Sequence, residues 1–373
     1  MSDSAHIKLL PPTFSVWQSE KKHSKQVAVL MSGGVDSSVA AHLLKEDGWD
    51  VLGITMKIPV SCDAKKRGCC GADAAFVCGE LNIPHYFIDV AEPFGDLIIE
   101  PFRKSYAQGR TPNPCVDCNT LLKFSLVWDF IEEIFGIKYL ATGHYAQVVK
   151  DKDRVRLKRA DDLSKDQSYF LYGITSEKLA GLVLPLGKLT KSNIRSIAER
   201  QNLCVAQKAE SMELCFAAED NYRDALDFEH THRPGSILDI KGNVIGEHSG
   251  IANYTIGQRR GVRFAGGIPL YVSSINVEQN TITLGDKEHL MRKTVTAKQI
   301  NILILEELSD GKKANAKIRS YGNPQPCIIT SAENDMLKVD FAQPQFAPCP
   351  GQRLVLYNDE NEVIAGGVIQ ANG

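Results

Sequence analysis

The sequence predicts an α/β fold in which a parallel sheet is covered by helices on both faces, followed by a small β-rich domain and a C-terminal β-barrel. Three observations carry this prediction. The stretch KQVAVLMSGGVDSSVAAHLLKEDGWDVLGITMKI reads as strand, glycine-rich turn, helix, turn and strand, the unit from which parallel sheets are assembled. Strand-like and helix-like segments keep alternating to about residue 218. From about Asp220 the texture changes to short β-like runs separated by Gly, Asn and Asp turns, as in small barrels and sandwiches.

Along the chain, residues 1–25 have neither the compact apolar stretch nor the small-residue cleavage site of a secretory signal. They are expected to form a loosely ordered tail. Residues 27–30 (VAVL) are apolar throughout, as suits a strand buried on both faces. After Asp36, Val39, Leu43 and Leu44 recur at helical spacing, and Gly48 ends the helix. Residues 51–58 read as a strand, 74–81 as a helix and 85–90 (HYFIDV) as a strand. Residues 121–135 read as a helix with aromatics on its apolar side, and 138–149 (KYLATGHYAQVV) as one further strand. The expected domains are therefore 26–218, a central β-rich domain over 219–289 and a barrel over 290–373.

With 373 residues the chain exceeds one ordinary core, so two or three domains agree with its length. Its 43 Lys plus Arg against 45 Asp plus Glu leave a net charge of −2. No global basic field exists, and any phosphate-binding surface must be a local patch. No apolar run approaches a membrane span, so no membrane partner is expected. The setting predicted is cytoplasmic, with an organelle as the alternative. Ten cysteines without a secretory signal point to thiols, metal or catalysis rather than a disulfide framework.

SGGVDSS at 32–38 lies between a buried strand and a helix. Gly33 and Gly34 let backbone amides approach an anion, the serines add donors, and the helix adds the positive end of its dipole. A tight turn capped by Asp36 and Ser37 is the plainer alternative. The string is neither a Walker A loop nor a dinucleotide fingerprint. TPNPCVDCNTLLKF spaces Cys115 and Cys118 as C-x-x-C. A thioredoxin-like pair should follow the first strands. A zinc site needs four ligands, for which Cys62, Cys69, Cys70 and Cys78 are available at no recognised finger spacing. Cys215, in SMELCF, lies about a hundred residues downstream. Cys204, Cys327 and Cys349 are expected to be buried and inert.

SGGVDSS resembles the PP-loop of ATP pyrophosphatases, whose fold is that of the adenine nucleotide alpha hydrolases. Taken in order, SGGVDSS, GRTPNPCVDCNTLLKF, ATGHYA, KDQSYFL, PLGKLTKSNIRSIA, ESMELCF, RPG, IGEHSG, YTIGQRRG and PGQ are similar to the bacterial tRNA-specific 2-thiouridylase (MnmA) family, from about residue 26 to the C-terminus. The resemblance implies a sulfurtransferase that adenylates the C2 oxygen of a wobble uridine and replaces it with sulfur. ATP with Mg2+ would be held by Leu30, Met31, Ser32, Gly33, Gly34, Val35, Asp36 and Ser37, with Met56 and Gly143 near the adenosine. The partners implied are a tRNA with a wobble uridine and a sulfur donor protein, either a sulfur relay or a cysteine desulfurase.

By the same resemblance Cys215 carries the persulfide and Cys118 is the partner thiol that closes a disulfide with it. Lys123 and Arg110 are the cations available to stabilise these thiolates. Asn113, Pro114 and Cys115 match the family's target-base segment, Lys165, Asp166 and Gln167 a tRNA-contacting segment, and His144, Arg319 and Gln352 further tRNA contacts. Arg259, Arg260, Arg263 and the segment GKKANAKIR add local basic charge. Many members carry Asp where this chain has Cys115. Cys115 either replaces that base or joins Cys118 and Cys215 as ligands of a 4Fe-4S cluster with one open iron. Outside this family, a PP-loop enzyme adenylating a small molecule accounts for the phosphate loop alone, and a metal-binding RNA adaptor for the cysteines alone.

Overall fold

The computed structural model describes residues 6–18, 25–59, 71–152, 154–209, 214–217, 226, 233–262 and 269–371. The chain divides into two compact units, Met1–Ile98 with Cys115–Phe216 and Ile99–Pro114 with Ala217–Gly373.

The first unit is built on a six-stranded sheet. Its strands are β1 (Lys8–Pro12), β2 (Gln26–Leu30), β3 (Asp50–Lys57), β4 (His85–Asp89), β5 (Tyr139–Ala141) and β8 (Leu182–Val183), in the order β1-β4-β3-β2-β5-β8. All neighbours are parallel except β1, which runs antiparallel along β4. Val27, Ala28 and Val29 are fully buried, because helices cover both faces of a parallel sheet. Helix α1 (Val35–Glu46) packs Val39, Ala40 and Leu44 into the same core as Ile194 and Ala198 of the helix Lys191–Arg200. Each Val, Leu or Ile among them contributes about 1.5–3 kcal/mol when fully buried. Helix α2 (Ala72–Glu80) adds Ala74, Val77 and Cys78 to that core.

Three sequence expectations change. The loosely ordered tail supplies β1, an edge strand, where Pro11 and Pro12 can sit because no neighbour needs their missing N–H groups. The single strand expected over 138–149 is broken by a loop at 142–145. Its second half, β6 (Ala146–Asp151), leaves the main sheet to pair with β7 (Arg154–Arg159). The helix around 121–135 starts earlier, at Pro114, and its middle is a π-helical stretch Cys118–Val127 before the α-helical Trp128–Phe135. Wide turns of this kind concentrate at functional sites.

The second unit contains a four-stranded sheet, β10-β9-β12-β11, made from β9 (Gly235–Leu238), β10 (Val244–His248), β11 (Tyr271–Asn276) and β12 (Thr281–Gly285). It also contains a closed antiparallel barrel of β13 (Met291–Ile302), β14 (Lys313–Lys317), β15 (Gln325–Glu333), β16 (Met336–Phe346), β17 (Arg353–Tyr357) and β18 (Val363–Ile369), in the order β13-β16-β15-β14-β17-β18. Closure leaves no free edge, and Ile329, Leu337, Val339 and Leu354 fill the interior.

Residues 99–114 lie in the middle of the first sequence domain but belong to the second unit. Gly109 lies beneath Ile275 and Val277. Thr111 N donates to Pro350 O at 2.9 Å, and Gln352 Nε2 donates to the carbonyls of Thr111 and Pro112, each at 3.1 Å. Gly351, at φ +94°, lets the two backbones meet: a Cβ there would stand 2.8 Å from Thr111 O. Gly351→Val is therefore expected to cost about 2 kcal/mol or more, read as a lowered midpoint of denaturant unfolding. An unchanged midpoint would remove this latch from the account.

Candidate active site

Brought together at one edge of the parallel sheet are the loop after β2, Met56 at the end of β3 and the loop after β5. These are carboxyl ends of parallel strands, where open α/β sheets bind ligands. The first loop follows β2 without slack: Met31 N donates to Ile54 O, and Met31 O accepts from Thr55 Oγ1. Gly33 turns the chain at φ +71°, where a Cβ would meet Ala74 N at 3.1 Å. Gly34 is the N-cap of α1, and no side chain caps that helix start. Its first amides and dipole thus suit an anion. Ser37 Oγ receives Ser32 N and donates to Gly34 O, which stiffens the loop from within. Leu30 and Val35 are buried anchors on either side.

Gly143 passes so close to the start of α1 that a Cβ would lie 2.7 Å from Asp36 C and Ser37 N. The loop after β5 consequently forms a wall of the phosphate loop. The next residue but one, Tyr145, donates its hydroxyl to Asp36 Oδ1 at 2.7 Å. Lys191 Nζ meets both oxygens of the same carboxylate, at 2.8 and 2.9 Å. Lys208 Nζ donates to Gly33 O at 2.8 Å and also pairs with Asp73.

Sequence reasoning missed Tyr145, Lys191 and Lys208. Lys191 carried one readable signal. It is the first residue of its helix, where the macrodipole opposes a cation, so an acid or an anionic ligand was to be expected nearby. Lys208 offered none.

Cys115, Cys118 and Cys215 also fall in the first unit. Cys118 is buried, whereas Cys115 and Cys215 reach solvent. All three thiols are pushed up, first by the protein packed around their sulfurs. Cys215 rises to about 12, and the charges of Cys118 and Cys115 both contribute, so the three sulfurs lie within electrostatic reach of one another. Lys123 opposes the rise at each. Its Nζ is held at 3.0 Å from Asn119 Oδ1, and Asn119 Nδ2 in turn donates to Phe170 O. Arg110 lines a cleft of the barrel instead.

No group of three or more His, Cys, Asp or Glu side chains among the described residues is arranged to hold a metal ion. A 4Fe-4S cluster binds each thiolate to a different iron, and the chemistry of Cys115, Cys118 and Cys215, within electrostatic reach of one another, fits such a ligand set. Cys78 is a core thiol pushed up to about 12 by burial. Cys62, Cys69, Cys70 and Arg263 lie outside the described residues. Cys327 and Cys349 are buried as expected, but Cys204 is exposed on a turn after the helix Lys191–Arg200.

Because these thiols are protonated at neutral pH, alkylation of Cys215 by iodoacetamide should accelerate about tenfold per pH unit between pH 7 and 10. Lys123→Met removes the positive charge that opposes the rise at all three thiols and should move that profile to higher pH. Peptide mass spectrometry reads both, and a plateau near pH 8.5 would contradict the environment described.

Several residues expected to meet RNA have internal partners. The His144 ring is held below its ordinary range, at about 3, by burial and then by Lys123. It is a neutral imidazole bonded to Thr142 Oγ1 at 2.7 Å. Asp166 is buried in an ion pair with Arg159 Nε at 2.9 Å and accepts from Ser168. Gln167 Oε1 receives Tyr145 N, and Gln167 N donates back to Tyr145 O. Lys165 is half-buried beside them. In the second unit, Asn113 is buried. Arg319 donates to the carbonyls of Phe346 and Ala347 and lies against the ring of the exposed Tyr321.

Residues 25–219 match a family model described as the tRNA methyl transferase HUP domain. Residues 223–286 match its PRC-barrel domain, and 292–369 an aminomethyltransferase beta-barrel domain. The chain is 44% identical over 351 residues to the tRNA-specific 2-thiouridylase MnmA 1 of Syntrophus aciditrophicus, covering 93% of each chain. It is 44% identical over 365 residues to the tRNA-specific 2-thiouridylase MnmA of Salinibacter ruber, covering 93% of this chain and 95% of that one. Among solved structures, the U34-tRNA thiolase NcsA from Methanococcus maripaludis with its 4Fe-4S cluster is 19% identical, over 55% of this chain and 65% of that one. Its TM-score of 0.34 is too low to carry an argument.

Proposed function

The chain belongs to the MnmA family of tRNA-specific 2-thiouridylases, and from that premise we propose that it thiolates C2 of the wobble uridine of its tRNA substrates. The observation that carries this reading is that one compact unit holds both a phosphate loop and three electrostatically linked thiols. The C2 carbonyl is a weak electrophile with a poor leaving group, so ATP chemistry and sulfur chemistry are needed together.

In the first step the uridine C2 oxygen attacks the α-phosphorus of ATP, and pyrophosphate leaves. The amides of Gly33 and Gly34, the start of α1 and the serines of the loop take the phosphates, with Met56 and Gly143 near the adenosine. Mg2+ neutralises phosphate charge when bound, and Asp36 is the carboxylate positioned to share it, as suits an ion held by one carboxylate and substrate phosphates.

In the second step a persulfide on Cys215 attacks C2, and AMP departs with the former oxygen. Cys118 then attacks the Cys215 sulfur of the sulfur–sulfur bond. The outer sulfur stays on the base, and the two cysteines close a disulfide. An external dithiol must reduce that disulfide, and a sulfur donor protein must reload Cys215. Cys115, exposed beside Cys118, remains the residue next to the target base in this reading. Were Cys115, Cys118 and Cys215 to hold a 4Fe-4S cluster, its open iron would supply the sulfur as a bound sulfide instead.

Reaching both centres requires the base to leave the anticodon stack, with Asn113, Pro114 and Cys115 at the flipped base. Lys165, Asp166, Gln167, His144, Arg319 and Gln352 are proposed to shape or contact the surrounding RNA, and Asp166 and His144 do so by holding the backbone. A cytoplasmic setting accompanies this reading. The test is tRNA-dependent pyrophosphate release with 2-thiouridine detected in the digested product when a persulfide donor is supplied. Release driven by a small molecule instead of tRNA, or RNA binding without turnover, would overturn it.

A further inference from the structure

The barrel of the second unit carries a basic cleft that the thiolation chemistry does not use. It has a volume of about 790 Å³ and is lined by Arg110, Arg292, Lys293, Lys298 and Lys338, with Thr294, Thr296 and Gln370 between them. Its origin is strand periodicity. Along β13, Val295 and Ala297 point into the barrel, so Arg292, Thr294, Thr296 and Lys298 face outward on alternate residues. A register irregularity between Arg292 and Thr294 brings Lys293 to the same surface. Lys338 of β16 stands directly across from Thr296, between the inward Leu337 and Val339.

Among the described residues, no ion pair engages any of these five cations. Arg292 donates only to the carbonyls of His289 and Met291. The nearby carboxylates are occupied elsewhere: Asp335 accepts from the amides of Gln299 and Ile300, and Asp340 from Thr294 Oγ1. Five cations in one open cleft are a marked local departure for a chain of net charge −2. Mutual repulsion makes such an arrangement costly unless an anionic partner relieves it.

We propose that this cleft is a phosphate-tracking site for the RNA backbone, separate from the residues that handle the target base. A polyanion fits better than a compact anion because three of the five cations, Arg292, Lys293 and Lys298, are spread along β13 instead of converging on a point. The cleft offers no exposed aromatic ring for base stacking, so it grips without reading sequence. This inference rests on the tRNA reading above and adds where the RNA is held.

The test uses the full chain and the exposed triple variant Arg292→Gln/Lys298→Gln/Lys338→Gln. Affinities for substrate tRNA and for an unrelated structured RNA of the same length are measured across a salt series. For each residue facing a phosphate, the slope of log affinity against log salt should flatten by about 1. Both RNAs should weaken by the same factor, and KM for tRNA should rise while kcat at saturation holds. Replacing the same three positions with the alternative cation, Arg292→Lys/Lys298→Arg/Lys338→Arg, should keep the slope. If the wild type binds tRNA with strong salt dependence and the neutral variant keeps affinity and slope, the cleft is not the site, while the thiolation reading stands. If the wild type shows no salt-dependent binding of either RNA, both fail.

Discussion

Cys215→Ser is expected to reduce 2-thiouridine formation by roughly a thousandfold or more, while tRNA-dependent pyrophosphate release stays within a few-fold of wild type. A serine oxygen cannot carry the transferable sulfur, whereas adenylation calls on no thiol. The separation of the two readouts is what matters, because a folding defect would lower both. Cys118→Ser should also stop thiolation, but after Cys215 has been loaded, so the persulfide should persist on Cys215 and be detected by mass spectrometry. Retained thiolation in Cys215→Ser, or equal loss of both activities, would place sulfur handling elsewhere.

Lys191→Met should lower adenylation by about 10²–10³-fold, the range found when one preorganised charge is removed from a transition state. Lys191 is 13% exposed and bridges both oxygens of Asp36, itself 31% exposed. In this half-open setting the lost pair costs roughly 1 kcal/mol of stability or less, too little to explain such a fall by unfolding. Lys191 is held in place by Asp36; in the proposed reading, arriving phosphates would draw the cation to the polyphosphate and free the carboxylate for Mg2+. Pyrophosphate release measured against ATP concentration decides between roles. A fall in kcat supports phosphate chemistry, whereas a normal kcat with a lowered melting temperature would make Lys191 a brace.

The parts that sequence conveyed were local. SGGVDSS announced itself because strand, turn and helix follow one another within a dozen residues, and each residue type answers a constraint of that turn. The position of Lys191 hinted at an acid or anion, but its partner was not legible, because Asp36 lies 155 residues away and only the folded sheet brings them together. KLLPP has too few apolar residues, and two prolines, so β1 left no strand pattern. The break between β5 and β6 went unread because ATGHY looks strand-like, while the need for Gly143 arises from α1, outside that string. The cysteine spacing was visible, but the crowding that keeps these thiols protonated depends on what packs around them. Nothing within residues 99–114 told which core Phe102 and Tyr106 would enter.

That last segment bears on how the protein can be cut and recombined. A gene division at the apparent boundary near residue 218 would follow the linear map but not the units, because residues 99–114 would travel with the wrong half. The barrel fragment would lose the segment that Pro350 and Gln352 clasp, and the other fragment would carry the buried Phe102 and Tyr106 away from the unit to which they belong. The sulfur-handling half is therefore not an interchangeable cassette. Domain swaps between relatives should succeed only when residues 99–114 are exchanged along with the C-terminal portion.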